Sequence, residues 1–130
     1  MTIKFEETFP VPAAALWAII GTVDRVDWVP GVAHCEFDGR VRRLHLPGAG
    51  DIAEEIVTRD EQEMRLVYRC IESPQSMDFH EARVHIAALS ASECRFHWEA
   101  EIEPEAFVPF LRSSMKGALE QLRVIASEAE

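Results

Sequence analysis

Hydrophobic and polar residues alternate along most of the chain, which is the pattern of β-strands with one buried face. In residues 2–9, Ile3, Phe5 and Phe9 alternate with polar neighbours, and Pro10 follows. Similar alternations recur between glycine, proline and charged turn residues farther along. The connections between these segments are too short for crossover helices, so the strands should form an antiparallel meander. We predict six further strands, over residues 33–38, 41–46, 51–59, 64–71, 78–88 and 94–102.

Helical periodicity replaces this alternation in two parts of the chain. Residues 13–20, AAALWAII, follow Pro12 and precede Gly21, which predicts a short helix. A second short helical turn is predicted over residues 24–27. Residues 105–128 carry apolar side chains at three- and four-residue spacing, the pattern of a long amphipathic helix. This apolar stripe consists of Phe107, Phe110, Leu111, Met115, Ala118, Leu119, Leu122 and Ile125.

A long amphipathic helix needs an apolar surface to cover, and the sheet is the surface that this chain offers. We therefore predict an α+β fold of one strand, two short helices and a six-stranded meander, with a curved antiparallel sheet wrapped around the C-terminal helix. A chain of 130 residues, 48% hydrophobic and 28% charged, has the size and composition of one globular domain. No repeat or linker divides it, so residues 1–130 are expected to form a single domain.

Five residues with polar groups fall on the apolar face of the predicted sheet, namely Arg42, Glu54, Tyr68, His80 and Trp98. Isolated buried charges are costly, so Arg42 and Glu54, on neighbouring strands, are expected to pair or to meet water. The pair could be purely structural, and Tyr68 and Trp98 could be core aromatic residues whose hydroxyl and indole N–H form hydrogen bonds. His80 could likewise be a satisfied or solvent-exposed histidine. In the other interpretation, these groups contact a ligand or transfer protons as acids and bases.

Charge and cysteine content exclude several classes of function. The 23 acidic and 13 basic residues give a formal net charge of -10, which repels a nucleic-acid backbone. The basic residues are scattered along the chain, so the sequence predicts no positively charged face. The three cysteines lie far apart without zinc-ligand spacing, so we expect reduced, packed thiols and no metal. The chain shows neither a leader pattern nor an apolar run of about 18 residues. We expect a cytoplasmic protein with no membrane insertion and no cofactor.

Two apparent motifs do not have the structural context that their chemistry requires. Residues 48–53, GAGDIA, fit a dinucleotide-binding fingerprint, but a strand pattern follows where a helix is needed. Residues 80–85, HEARVH, resemble a zinc-protease motif with one residue too many. On a strand, His80 and His85 point to opposite faces and cannot bind one metal ion. Neither motif predicts a function.

Several stretches together resemble a known superfamily. They are FPVPAAALWAII, DWVPGV, GRVRRLHLPGAGDIAEEIVTRD, YRCIESP and CRFHWEAEIEP, in the predicted order of elements. The chain resembles the START-like helix-grip superfamily over nearly its whole length, and within it the SRPBCC branch of polyketide cyclases/dehydratases and lipid-transport proteins. The resemblance implies a cavity between the sheet and the C-terminal helix. It also implies that the segment after the first helix closes this cavity, with Trp28 inward and Asp24 and Asp27 outward, unless Trp28 is a plain core residue.

The resemblance and the apolar inward residues favour the binding of a small hydrophobic or aromatic molecule. The first alternative is an enzyme of the polyketide cyclase/dehydratase type, with His80, Tyr68, Arg42 and Glu54 as candidate catalytic groups. The second is an interaction module with a collapsed pocket. A homodimer is left open, as are the ligand and the pathway. The residues expected to contact the ligand are Trp28, Arg42, Leu44, Glu54, Ile56, Tyr68, His80, Val84, Phe96, Trp98, Leu111 and Met115.

Overall fold

The elements of the fold follow the predicted order. A computed structural model describes residues 1–128 of the chain. The helices are α1 (Ala13–Ile20) and α2 (Val108–Glu128), and a short 3-10 helix over Glu105–Phe107 precedes α2. The predicted ends of most elements are confirmed to within one residue, and the larger differences lie at β2 and at the start of α2. The strands are β1 (Thr2–Phe9), β2 (Cys35–Phe37), β3 (Val41–Leu46), β4 (Gly50–Asp60), β5 (Arg65–Glu72), β6 (Phe79–Ala88) and β7 (Cys94–Glu103).

One antiparallel sheet contains the seven strands of residues 1–128, in the order β1-β7-β6-β5-β4-β3-β2. Strands β2 to β7 each pair with their neighbours in sequence, which confirms the predicted meander. Strand β1 pairs with β7 along its whole length, from Thr2 opposite Glu101 to Phe9 opposite Cys94. The first and last strands therefore lie side by side, and β2 forms the opposite edge.

Helix α2 packs across the concave face of the sheet. Its buried side chains include Met115, Ala118, Leu119 and Leu122, and they join one core with residues of β1, β5, β6 and β7. The predicted α+β helix-grip architecture is therefore confirmed. The α-helix begins at Val108, later than predicted, because the chain forms the 3-10 turn directly after Pro104.

The second short helical turn, predicted over residues 24–27, is wrong. This segment forms separate turns closed by hydrogen bonds between residues three apart, such as the Arg25 N–H that donates to the Thr22 oxygen at 2.9 Å. Pro30 disfavours the helical conformation at the residue before it, so these turns do not continue into a helix. The chain instead brings the side chain of Trp28 into the interior, where it is buried.

A β-bulge in β4 changes which side chains face inward beyond it. The register of β4 against β5 shifts between Ile56 and Thr58, so Val57 is the extra residue. The two-residue period of a regular strand would turn Thr58 inward with Ile56, but Thr58 is exposed. Its neighbour Arg59 makes the contact with α1 instead, because its guanidinium lies 5.3 Å from the centroid of the Trp17 ring.

The state of the three cysteines agrees with the expectation from their spacing. Cys35, Cys70 and Cys94 are free thiols, and Cys94 is fully buried. Neither helix of residues 1–128 combines the length and the apolar character needed to cross a membrane.

Candidate functional site

A narrow chamber lies between the concave face of the sheet and α2. Its volume is about 90 Å³, and we call it the inner chamber. Its apolar walls are formed by Val26, Trp28, Val29, Leu44, Leu46, Ile52, Ala82, Trp98, Ala100, Leu111, Met115 and Ala118. Polar groups reach it from Arg25, Arg42, Glu54, Tyr68, His80 and Ser114. The inner chamber is therefore mostly apolar, with a few polar groups that could orient a ligand.

A second chamber of about 260 Å³, the outer chamber, adjoins the first. Leu46, Ile52, Glu54, His80 and Leu111 line both, so these side chains form the shared wall. The other walls come from β5 and β7, the turn between β3 and β4, the loop between β5 and β6, the 3-10 helix and the start of α2. Small-molecule sites usually have about 300–1,000 Å³. The two chambers together reach the lower end of that range.

An ion pair between Arg42 and Glu54 lies in the wall of the inner chamber. The two residues are direct partners across β3 and β4, and Arg42 Nε donates to Glu54 Oε1 at 2.8 Å. Arg42 Nη1 also donates to the backbone oxygen of Val23 at 2.8 Å. Only 10% and 13% of the two side chains are exposed, so each charge depends on the other for compensation. Burial alone would lower the pKa of Arg42, but Glu54 and Tyr68 raise it, and the guanidinium stays charged.

Tyr68 connects this ion pair to Trp98. The guanidinium of Arg42 lies 4.6 Å from the centroid of the Tyr68 ring, and Trp98 Nε1 donates a hydrogen bond to the Tyr68 hydroxyl oxygen at 3.2 Å. Burial, and to a smaller extent Glu54, raises the pKa of Tyr68. The phenol therefore keeps its proton, which a ligand oxygen could accept in a hydrogen bond.

His80 reaches both chambers in its neutral form. The backbone N–H of Cys70 donates to His80 Nδ1 at 3.0 Å, and an accepting Nδ1 places the ring proton on Nε2. Burial lowers the pKa of His80, although Glu54 and Glu81 oppose that shift. The imidazole also lies 6.1 Å, centroid to centroid, from the Tyr68 ring. His80 thus adds a second neutral hydrogen-bond donor close to Tyr68.

The segment after α1 closes one end of the inner chamber with Trp28. The Trp28 ring meets Trp98 edge-on, with centroids 5.7 Å apart, and 8% of Trp28 is exposed. Asp24 and Asp27 are exposed, as the resemblance implies. Gln121 of α2 donates to the backbone oxygen of Asp27 at 2.6 Å, which fastens the segment to the helix. Trp28 is therefore a buried aromatic residue that also forms part of the chamber wall.

Three of the predicted contact residues, Ile56, Val84 and Phe96, lie outside the linings of both chambers. They share the inward face of the sheet, but core side chains cover that part of it, as where Phe9 packs on Phe96 with ring centroids 5.8 Å apart. Ligand contact by these three stays a prediction that the geometry does not favour. The inner chamber brings together the other predicted residues, Trp28, Arg42, Leu44, Glu54, Tyr68, His80, Trp98, Leu111 and Met115.

Sequence reasoning missed side chains that reach the chambers from α2 and from a loop. Ser114 of α2 lines the inner chamber, and Phe110 lines the outer chamber. Ser73, Gln75 and Met77, in the loop between β5 and β6, also line the outer chamber. Phe110 belongs to the apolar stripe of the predicted helix, so the pattern contained a signal for it. The loop residues have no periodicity that could have revealed them.

The two motifs that lacked structural context have other roles. His80 faces the chambers, whereas His85 lies on the outer face and stacks on His97 with centroids 5.6 Å apart, so the two histidines point to opposite faces as predicted. Gly48 has a φ of 87° in the turn between β3 and β4, and a strand follows this turn. A Cβ at Gly48 would lie 2.7 Å from the Phe110 ring, so glycine allows the turn to approach α2 beside the outer chamber.

Comparison with known proteins agrees with this architecture. The family described as polyketide cyclase / dehydrase and lipid transport has a sequence model that matches residues 2–125. No curated protein matches the sequence significantly. The family match thus spans every element from β1 to most of α2.

Several solved structures share the fold at low sequence identity. The protein XoxI from Bacillus cereus has a TM-score of 0.86 and 17% identity over 95% of this chain and 94% of its own. A START superfamily protein from Mycobacterium smegmatis has a TM-score of 0.82 and 12% identity over 99% of each chain. Norcoclaurine synthase from Thalictrum flavum, in complex with dopamine and hydroxybenzaldehyde, has a TM-score of 0.73 and 15% identity over 100% of this chain and 88% of its own. At these identities the likeness establishes the fold.

Proposed function

Because the chain belongs to the START-like superfamily, in the family of polyketide cyclases, dehydrases and lipid-transport proteins, we propose that it binds a small, mostly apolar molecule with a hydroxyl or carbonyl group. The observation that carries this proposal is the pair of neutral donors, Tyr68 and His80, in a cavity whose walls are mostly apolar. Polar groups that are removed from water are costly unless they find a partner. A ligand oxygen would provide that partner while the rest of the ligand meets apolar walls.

The two chambers suit different parts of such a molecule. In the inner chamber, Trp28 and Trp98 offer broad aromatic surfaces next to the Tyr68 hydroxyl, which favours a ring that carries an oxygen. In the outer chamber, Met77 and Phe110 are among the apolar side chains that could contact the body of the ligand. The interaction module with a collapsed pocket has less support, because the side chains leave both chambers open.

Ligand binding is expected to change the intrinsic fluorescence of the protein. We would titrate it with aromatic ketones and phenols and expect dissociation constants in the micromolar range, or about -8 kcal/mol. Trp28 and Trp98 line the inner chamber, so a ligand there alters their surroundings. Trp28→Phe and Trp98→Phe should therefore each remove part of the ligand-induced change.

The matched control for that titration is Trp17→Phe. Trp17 lies on α1, is buried, and lines neither chamber. Its replacement should lower the total emission but leave the ligand-induced change in place. If a broad panel of aromatic and lipid ligands altered neither the fluorescence nor the melting temperature, ligand binding would be contradicted. The interaction module would then be the better hypothesis.

A catalytic role of the cyclase or dehydratase type is the second candidate, and one observation favours it. The Glu54 carboxylate, a hydrogen-bond acceptor, shares the inner chamber with the neutral donors Tyr68 and His80. In the dehydration of a β-hydroxy ketone, a base removes a proton from the carbon next to the carbonyl, and an acid protonates the departing hydroxyl. Glu54 would remove that proton and then pass it to the departing hydroxyl, which leaves as water, while Tyr68 and His80 keep their protons and donate hydrogen bonds to the carbonyl oxygen as negative charge develops on it.

His80→Ala separates this catalytic function from simple binding. If the protein dehydrates β-hydroxy aryl ketones, we expect the variant to lower kcat by about a hundredfold or more with a smaller change in KM, because the loss of one donor to the developing oxyanion has an effect on that scale. His85→Ala, on the outer face of the same strand, is the matched control and should leave both unchanged. Recovery of every test compound unchanged after long incubation with the wild-type protein would favour a carrier and contradict the catalytic role.

A further inference from the structure

We infer that Glu54 determines the charge of the ligand, so that the cavity accepts uncharged aromatic ketones or phenols and rejects molecules with an anionic head group. This inference rests on the proposed binding function and deepens it by naming the ligand class. It assigns a specificity role to the Arg42–Glu54 ion pair, which could otherwise be regarded as purely structural. The argument for it comes from the partners of each charged group in the chamber walls.

Both cationic side chains in the described lining of the inner chamber already have an anionic partner. Arg42 donates to Glu54 at 2.8 Å. Arg25, at the edge of the chamber, binds the Asp27 carboxylate through both Nε and Nη2, at 2.8 and 3.0 Å. His80 adds no positive charge, because its Nδ1 accepts the hydrogen bond from Cys70 and the ring is neutral. An anionic ligand would therefore find no positive charge that is free of a carboxylate.

An anionic head group would also have to approach Glu54 itself. Glu54 lines both chambers. Within residues 1–128, it is the only charged side chain in the wall of the outer chamber. Two carboxylates would then share the single guanidinium of Arg42 in a site that is largely shielded from water, where like charges repel more strongly than in solution. A ketone or phenol oxygen adds no charge and can accept a hydrogen bond from Tyr68 or His80.

The test compares two ligands of similar shape, 2-acetylnaphthalene and 2-naphthoate, by isothermal titration calorimetry at neutral pH. The first is an uncharged ketone and the second is an ionised carboxylate on the same ring system. We expect the wild-type protein to bind the ketone more tightly by about tenfold or more, because the carboxylate adds an uncompensated negative charge beside Glu54. In Glu54→Gln, the charge of Arg42 becomes available, and the affinity for 2-naphthoate should rise by about tenfold or more. The ratio of the ketone affinity to the 2-naphthoate affinity should therefore fall by about tenfold or more.

Two further variants keep the test decisive. Glu54→Asp retains the negative charge and should retain the preference for the ketone. This variant still tests the role of the charge if Glu54→Gln does not fold. Glu99→Gln is the matched control, because Glu99 accepts a hydrogen bond from Arg83 at 2.8 Å on the outer face, and it should leave the ratio of affinities unchanged. Equal or tighter binding of 2-naphthoate to the wild-type protein, or an unchanged ratio in Glu54→Gln, would overturn the inference while binding itself stands. If neither compound bound the wild-type protein, the proposed binding function would be contradicted as well.

Discussion

Leu122→Ala is expected to lower the free energy of unfolding by about 2–5 kcal/mol, the usual cost of deleting a buried leucine side chain. Leu122 has no exposed surface, and it lies where α2 packs on the concave face of the sheet. Alanine is a good helix former, so the loss measures packing rather than helix propensity. Urea denaturation followed by circular dichroism would provide the free energy of unfolding.

The matched control for that experiment lies on the same helix. Val124 is 55% exposed, so Val124→Ala removes aliphatic carbon from α2 without opening a cavity. We expect a change of less than about 0.5 kcal/mol, as for most surface substitutions. A loss below about 0.5 kcal/mol for Leu122→Ala would mean that this face of α2 does not carry the core contacts that the structure assigns to it.

Much of the fold was predictable because strands and helices have distinct periods. The stripe that contains Leu122 identified α2 and the face that it buries, and the two-residue period identified each strand. The pairing of Arg42 with Glu54 was also predictable, since a short turn joins β3 to β4 and leaves little freedom in their register. Local patterns thus sufficed wherever neighbouring elements are joined by short connections.

Long-range packing accounts for what the pattern did not reveal. Alternation placed Phe96 and Tyr68 on the same face of the sheet, yet Phe96 is packed against Phe9 while Tyr68 borders the chamber. Which part of that face stays open depends on where β1, α1 and α2 place their side chains, and these elements are distant in sequence. The bulge at Val57 is a second case, because an inserted residue reverses the phase of the strand without any local sign.

Removing either partner of the Arg42–Glu54 ion pair is expected to destabilise the protein by about 3–5 kcal/mol, because each single change leaves a buried charge without compensation. Arg42→Met and Glu54→Leu serve as the single variants, since both replace a charged side chain by an apolar one. Only 10% and 13% of the two side chains are exposed, so water cannot easily replace the missing partner. The double variant buries no charge and should lose less than the sum of the single losses.

A double-mutant cycle measures this coupling, with the neighbouring pair of Arg43 and Glu72 as the matched control. That pair joins the same β3 strand to β5, but 54% and 59% of its side chains are exposed. We expect a coupling energy of about 2 kcal/mol or more for Arg42 with Glu54, and of about 1 kcal/mol or less for the exposed pair. Additive effects at Arg42 and Glu54 would show that their charges are compensated separately, and Glu54 could then no longer set the charge that the cavity offers to a ligand.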